Sequence, residues 1–267
     1  MDTNTPTIPA ILRGDSGSLE QALAETTGSG VRKRLAIAIS ACALYGATLG
    51  VWQGGMMPLY TAVKIPLVIL LTLAANGFLN GVLSLLLGSG LGIKKTLNAQ
   101  LTAFMVAALI LASLSPITFF LARNLANPQD PGGEHAHAVF LLTHTVLIGF
   151  AGLVANAKLF DLLRLNAPNL NTARATYLAW LGGNLLAGAQ LTYIFRPYFG
   201  NPAKPIEFLR PNPFDGSFAE VVWKSFEQLL PEVATAPRAI LLITLLIIGI
   251  GFSLPKALFN NSNPSKS

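Results

Sequence analysis

The chain has 267 residues, of which 52% are hydrophobic and 11% charged, with a formal net charge of +6 and a mean hydropathy of +0.55. A soluble domain carries about 25% charged residues, so this composition excludes an ordinary globular surface and calls for one polytopic membrane domain. Nucleic-acid recognition is set aside as well: basic residues such as Arg32, Lys33, Arg34, Lys94 and Lys95 flank apolar runs instead of forming a patch.

Residues 1–34 read as a cytoplasmic leader with one short amphipathic helix, where Ser18 and Gln21 have capping-box spacing and Leu19, Ala22 and Leu23 share a face. A cleaved signal peptide would need a shorter n-region free of acids and a shorter apolar run than the one after Arg34. Residues 35–256 read as the transmembrane domain. Six stretches approach the roughly 20 helical residues that cross a bilayer core: residues 35–52, 65–87, 101–121, 138–157, 175–195 and 239–254. None contains Asp, Glu, Lys or Arg, and in hydrocarbon only a helix or a closed barrel satisfies the backbone. The sixth is the shortest and stops at Pro255; residues 257–267 are expected to form a disordered tail. The fold class predicted is therefore all-α, a bundle of about six spans.

Basic residues orient the bundle. With the amino terminus inside, eleven of the 18 fall in cytoplasmic segments, including Lys158, Arg164 and Arg174; Lys64 and Arg123 lie in the short outer loops. Both termini are expected in the cytoplasm of a bacterial cell, with the protein in its inner membrane. Lys158, Asp161 and Arg164 predict a helical extension with an ion pair beyond the fourth span.

Polar groups at membrane depth are the first candidates for function. Asn76 and Asn80 share a face of the second span, His144 lies in the fourth, and Asn184 and Gln190 lie in the fifth. Interhelical hydrogen bonding is the default reading, and a solute path the alternative. Gly46 with Gly50, and Gly183 with Ala187, predict slim faces for close packing inside the monomer. "EHAH" at residues 134–137 lacks further ligands at metal-site spacing. The one cysteine, Cys42, lies in an apolar run. No nucleophile elbow, phosphate loop, zinc-protease motif or paired-carboxylate pattern occurs, so neither an enzyme nor a bound cofactor is expected.

The segment at residues 196–238 interrupts the apolar pattern on the outer side. Arg196 beside Phe195, Tyr198 and Phe199 predicts an interfacial anchor. Pro197, Pro202, Pro205 and Pro211 stiffen the backbone of residues 197–211. Ser217 and Glu220 then cap a helix over 218–230, whose Phe218, Val222, Phe226 and Leu229 form an apolar face suited to a membrane surface.

Residues 60–88, "YTAVKIPLVILLTLAANGFLNGVLSLLLG", resemble the second-span region of Yip1-like membrane proteins, with a Lys-Ile-Pro lead-in, a leucine run and an asparagine face. Over most of its length the chain resembles a group of bacterial polytopic proteins with an outer "RPFxGxPxxPxxFxR…F.E" segment, matched by Arg196, Pro197, Phe199, Gly200, Pro202, Pro205, Phe208, Arg210, Phe218 and Glu220. The resemblance implies a membrane-embedded helical fold and carries no activity with it. Some members bear an actin-binding label; its one echo, "IKKT" at residues 93–96, falls in a tight turn and reads as positive-inside charge. The expected role is structural, assembly or anchoring, with the outer segment as a docking element or lid. The lipid bilayer is the first partner, and a membrane-protein partner or a second copy is the next. The alternative role is a small-solute transporter or channel.

Overall fold

The structure, a computed structural model, describes residues 7–13, 15–25, 28–200 and 205–229. Among these the chain is all-helical and without strands: α1 (Ile8–Arg13), α2 (Ser16–Ala24), α3 (Gly28–Gly50), α4 (Met57–Leu86), α5 (Ile93–Ser113), α6 (Ser115–Asn124), α7 (Gly133–Asn166), α8 (Leu170–Ile194) and α9 (Phe218–Leu229). Three of them, α4, α5 and α7, are long and apolar enough to cross a membrane. The predicted first and fifth spans form α3 and α8, of 23 and 25 residues, whose apolar runs are diluted by basic residues in α3 and by Asn184, Gln190 and glycines in α8. The predicted sixth span and the tail lie outside the described residues.

Several boundaries differ from expectation for identifiable reasons. Sequence places Pro66 just inside the start of the second span, but α4 begins two turns earlier with Pro58 in its first turn and carries Pro66 inside it. The predicted third span is divided at Leu114: Pro116 has no amide hydrogen to donate back, so α5 stops at Ser113 and α6 restarts with proline in its first turn. The leader holds two helices instead of one. Asp15, not Ser18, is the N-cap of α2, accepting from the Ser18 amide at 2.9 Å.

Burial is inverted relative to a soluble protein. Phe78, Leu86, Phe120, Val146 and Leu186 point outward, while Thr61, Asn80, Ser84, Thr96 and Thr176 are fully buried. A hydrocarbon solvent asks for this arrangement, because apolar side chains lose nothing facing lipid and polar ones must find partners inside. Helix α7, with 34 residues, is about 50 Å long at 1.5 Å per residue, against a bilayer core of about 30 Å. It therefore projects beyond the apolar layer. There Lys158 donates to the Arg13 carbonyl at 3.4 Å instead of pairing with Asp161, and so ties the leader to the bundle.

Small residues set the closest approach. A Cβ at Gly46 would collide with the Thr61 carbonyl, and one at Gly50 with the backbone at Met57 and Pro58, so α3 and α4 pack backbone to backbone. Gly54 and Gly55, both with positive φ, reverse the chain between them. The leader end is closed by Ile11, Leu19, Ala22 and Leu23, all buried, and by Asn98 donating to the Leu23 and Glu25 carbonyls at 3.3 and 3.0 Å.

Candidate functional site

Helix α8 ends at Ile194, and residues 195–200 and 205–217 fold back across the adjoining ends of α3, α4 and α7 before α9 packs against α7 and α8. The centre of this closure is Lys64. Its side chain is 0% exposed. Nζ donates to the Pro197 carbonyl at 2.6 Å and lies 4.9 Å from the centroid of the Phe208 ring, with Tyr60 and Tyr198 each at 6.0 Å. No carboxylate among the described residues pairs with it. The ammonium is held instead by one carbonyl dipole and the negative faces of three rings.

A second cluster is built on Tyr193 in the last turn of α8. The Arg196 and Arg210 guanidiniums lie 4.0 and 4.2 Å from its ring centroid, and Arg210 Nη1 donates to its hydroxyl at 3.0 Å. Tyr193 in turn donates to the Asp215 carbonyl, which also accepts from Arg210 Nη2 at 2.9 Å. Burial lowers the pKa of the Arg196 guanidinium and raises that of the Tyr198 phenol. Gly216, at φ +90°, allows the turn to pass over Tyr193, since a Cβ there would collide with the phenol oxygen.

A third cluster joins the segment to α3 and α7. Phe199 packs edge-on to Phe140 at 5.2 Å and to Trp52 at 6.5 Å, and tilts against His137 at 5.2 Å. His137 Nε2 lies 3.1 Å from the Gly200 carbonyl, and Gly200, at φ +81°, sits directly against Gln53. "EHAH" thus contributes an aromatic contact through His137.

Of the expected segment residues, Arg196, Pro197, Phe199, Gly200, Phe208 and Arg210 come together in this closure. Pro205 is exposed, and Pro202 lies outside the described residues. Phe218 is half-buried at the start of α9, where the Glu220 amide donates to Ser217 Oγ at 3.3 Å. Glu220 instead faces outward and pairs with Lys224 at 2.7 Å; that bond holds its carboxyl below the usual range.

The expected intramembrane residues divide into two groups. Asn76 donates to the Gly183 carbonyl at 3.1 Å and Asn80 to Asn184 Oδ1 at 3.4 Å, while Trp180 donates to the Asn80 carbonyl at 3.0 Å, forming a polar seam between α4 and α8. His144 lies apart, 2.9 Å from the Tyr45 hydroxyl and edge-on to Phe140. Gln190 is exposed and joins neither.

Sequence reading missed Lys64, Tyr60 and Tyr193. Tyr60 and Lys64 stand at i and i+4, a spacing that places them on one helical face as soon as α4 is started at Met57. No family model, curated protein or solved structure matches the chain.

Proposed function

We propose that this chain is an integral membrane protein, of Yip1-like type, that acts through contacts instead of catalysis, as a structural, assembly or anchoring component. The segment from Phe195 through α9 serves as its lid and docking element. The observation that supports this most is the latch at Lys64: a buried cation held by Pro197 and three rings keeps the segment folded over the bundle without a partner acid. The outer surface of the segment carries Phe214, 75% exposed, with Leu209 and Trp223 also outward. Such apolar groups beside charged ones suit a membrane-protein partner at the bilayer surface. The distribution of basic residues supports a bacterial inner-membrane location with both termini cytoplasmic. A photoreactive probe on Phe214→Cys in native membranes should capture one discrete protein neighbour. Recovery of only the uncrosslinked chain would defeat the docking role.

A second reading is supported by the α4–α8 seam. Thr72 Oγ1, Asn80 Oδ1 and Thr176 Oγ1 are buried there without a hydrogen-bond partner among the described residues. Lined by such groups, the seam would pass a small neutral solute. Flux in proteoliposomes that Asn76→Leu or Asn184→Leu abolishes would establish it; absence of flux across a broad solute panel would remove it.

A further inference from the structure

We infer that the cavity between the leader and the base of α3 is a binding site for a phosphate group, carried by a lipid headgroup or free in solution. The cavity measures about 140 Å³ and is lined by Ile8, Ile11, Glu25, Ser29, Lys33 and Arg34, among others. That volume admits several waters or one tetrahedral oxyanion, given about 30 Å³ per water.

Arg34 supplies the recognition. It is only 4% exposed, and its guanidinium is divided between two tasks. Nη1 pairs with Glu25 at 3.3 Å, while Nε and Nη2 are buried without a partner among the described residues. Those two groups form one edge of the guanidinium, with parallel N–H bonds that match two oxygens of a phosphate. A buried donor left unpaired costs about 1–3 kcal/mol, so a guanidinium edge in this state beside a cavity calls for an acceptor. Glu25 fixes the plane of the group and acts as a positioning residue.

The rest of the lining favours the same ligand. Lys33 adds a second positive charge and Ser29 a hydroxyl, so the two cations outnumber the one carboxylate. Ser29 and Gly30 lie in the first turn of α3, whose amides have no partner within the helix and whose dipole end is positive. Ile8, Ile11 and Ile37 make the opposite wall apolar, which accommodates the carbon side of a phosphate ester. The site adjoins the end of a bundle whose outer face is apolar, within reach of headgroups.

Native mass spectrometry of the full chain in detergent tests the assignment, with separate titrations of inorganic phosphate, phosphatidic acid and diacylglycerol. Phosphatidic acid should bind one per chain and diacylglycerol should not. Arg34→Gln and Ser29→Asp should each weaken binding about tenfold or more, the first by removing the fork and the second by placing a carboxylate in the cavity. Binding of inorganic phosphate at the same site shows that the free ion suffices; its failure beside phosphatidic acid assigns the lipid headgroup. If Arg34→Gln does not fold, Ser29→Asp decides, because Ser29 is exposed and its replacement leaves the Arg34–Glu25 pair in place. Equal binding of diacylglycerol, no binding of either phosphate ligand, or affinity unchanged in a folded Ser29→Asp variant would each overturn the inference.

Discussion

Replacing Gly216 by alanine should loosen the lid without touching the membrane helices. The residue stands at φ +90°, and its Cβ would collide with the Tyr193 hydroxyl, whose bond to the Asp215 carbonyl anchors the turn before α9. The left-handed conformation costs a non-glycine residue about 1–2 kcal/mol, and the overpacked contact adds about 1–3 kcal/mol. The sum is about 2–5 kcal/mol, and its lower end alone raises the population of the open lid about 30-fold. Thiol labelling of Ser225→Cys reads that opening directly, because Ser225 is buried in the face of α9 that meets α7 and α8. The one native cysteine, Cys42, is fully buried and leaves the background low. Labelling should quicken by about 30-fold or more when Gly216→Ala is added, if opening precedes modification. Equal labelling rates in the two backgrounds would refute the view that this turn holds α9 down.

Lys64→Glu should open the lid further, since a carboxylate would face the Pro197 carbonyl and the negative faces of Phe208, Tyr60 and Tyr198; the same Ser225→Cys labelling measures it. Gly46→Leu should separate α3 from α4 and lower stability by about 3 kcal/mol or more, read as a fall in Tm in detergent. Asp15→Ala should remove the cap of α2 and speed proteolysis of the leader. The Asp15 carboxyl is held below its usual range by its bonds to Ser18, so its contribution is present above the unfolded pKa of about 3.9. Leader protection should therefore stay flat from neutral pH to about 5 and decline as the pH falls through the folded value.

The helical class and the positions of the long helices were legible because uniform apolarity leaves the backbone few alternatives in lipid. The Asn76, Asn80 and Asn184 contacts were legible from helical spacing, as was the start of α9 at Ser217. Prolines obscured the remainder. Pro66 reads as a helix start, yet α4 runs through it, and that difference moves Lys64 from an outer loop into a buried helical turn. Pro116 lies within an apolar run that hydropathy alone treats as continuous. The docking of the leader depends on Asn98 and Lys158 reaching carbonyls more than seventy residues away, which no local pattern encodes. The three clusters around Lys64, Tyr193 and Phe199 are likewise tertiary products, assembled from helix ends far apart in the chain.

The backbone contact between α3 and α4 also bears on self-association. Glycines four apart on a membrane helix commonly invite a second copy, but here Gly46 and Gly50 already receive Thr61, Met57 and Pro58 of the same chain. A homodimer could not use that surface unless the monomer first came apart. If copies of this protein meet in the bilayer, they must do so through broad leucine and phenylalanine surfaces such as those bearing Phe78, Leu185 and Leu186, where lipid competes on nearly equal terms. Assembly would then respond to lipid composition and protein density, and substitutions at the glycine pair would be felt as misfolding before any change in oligomeric state.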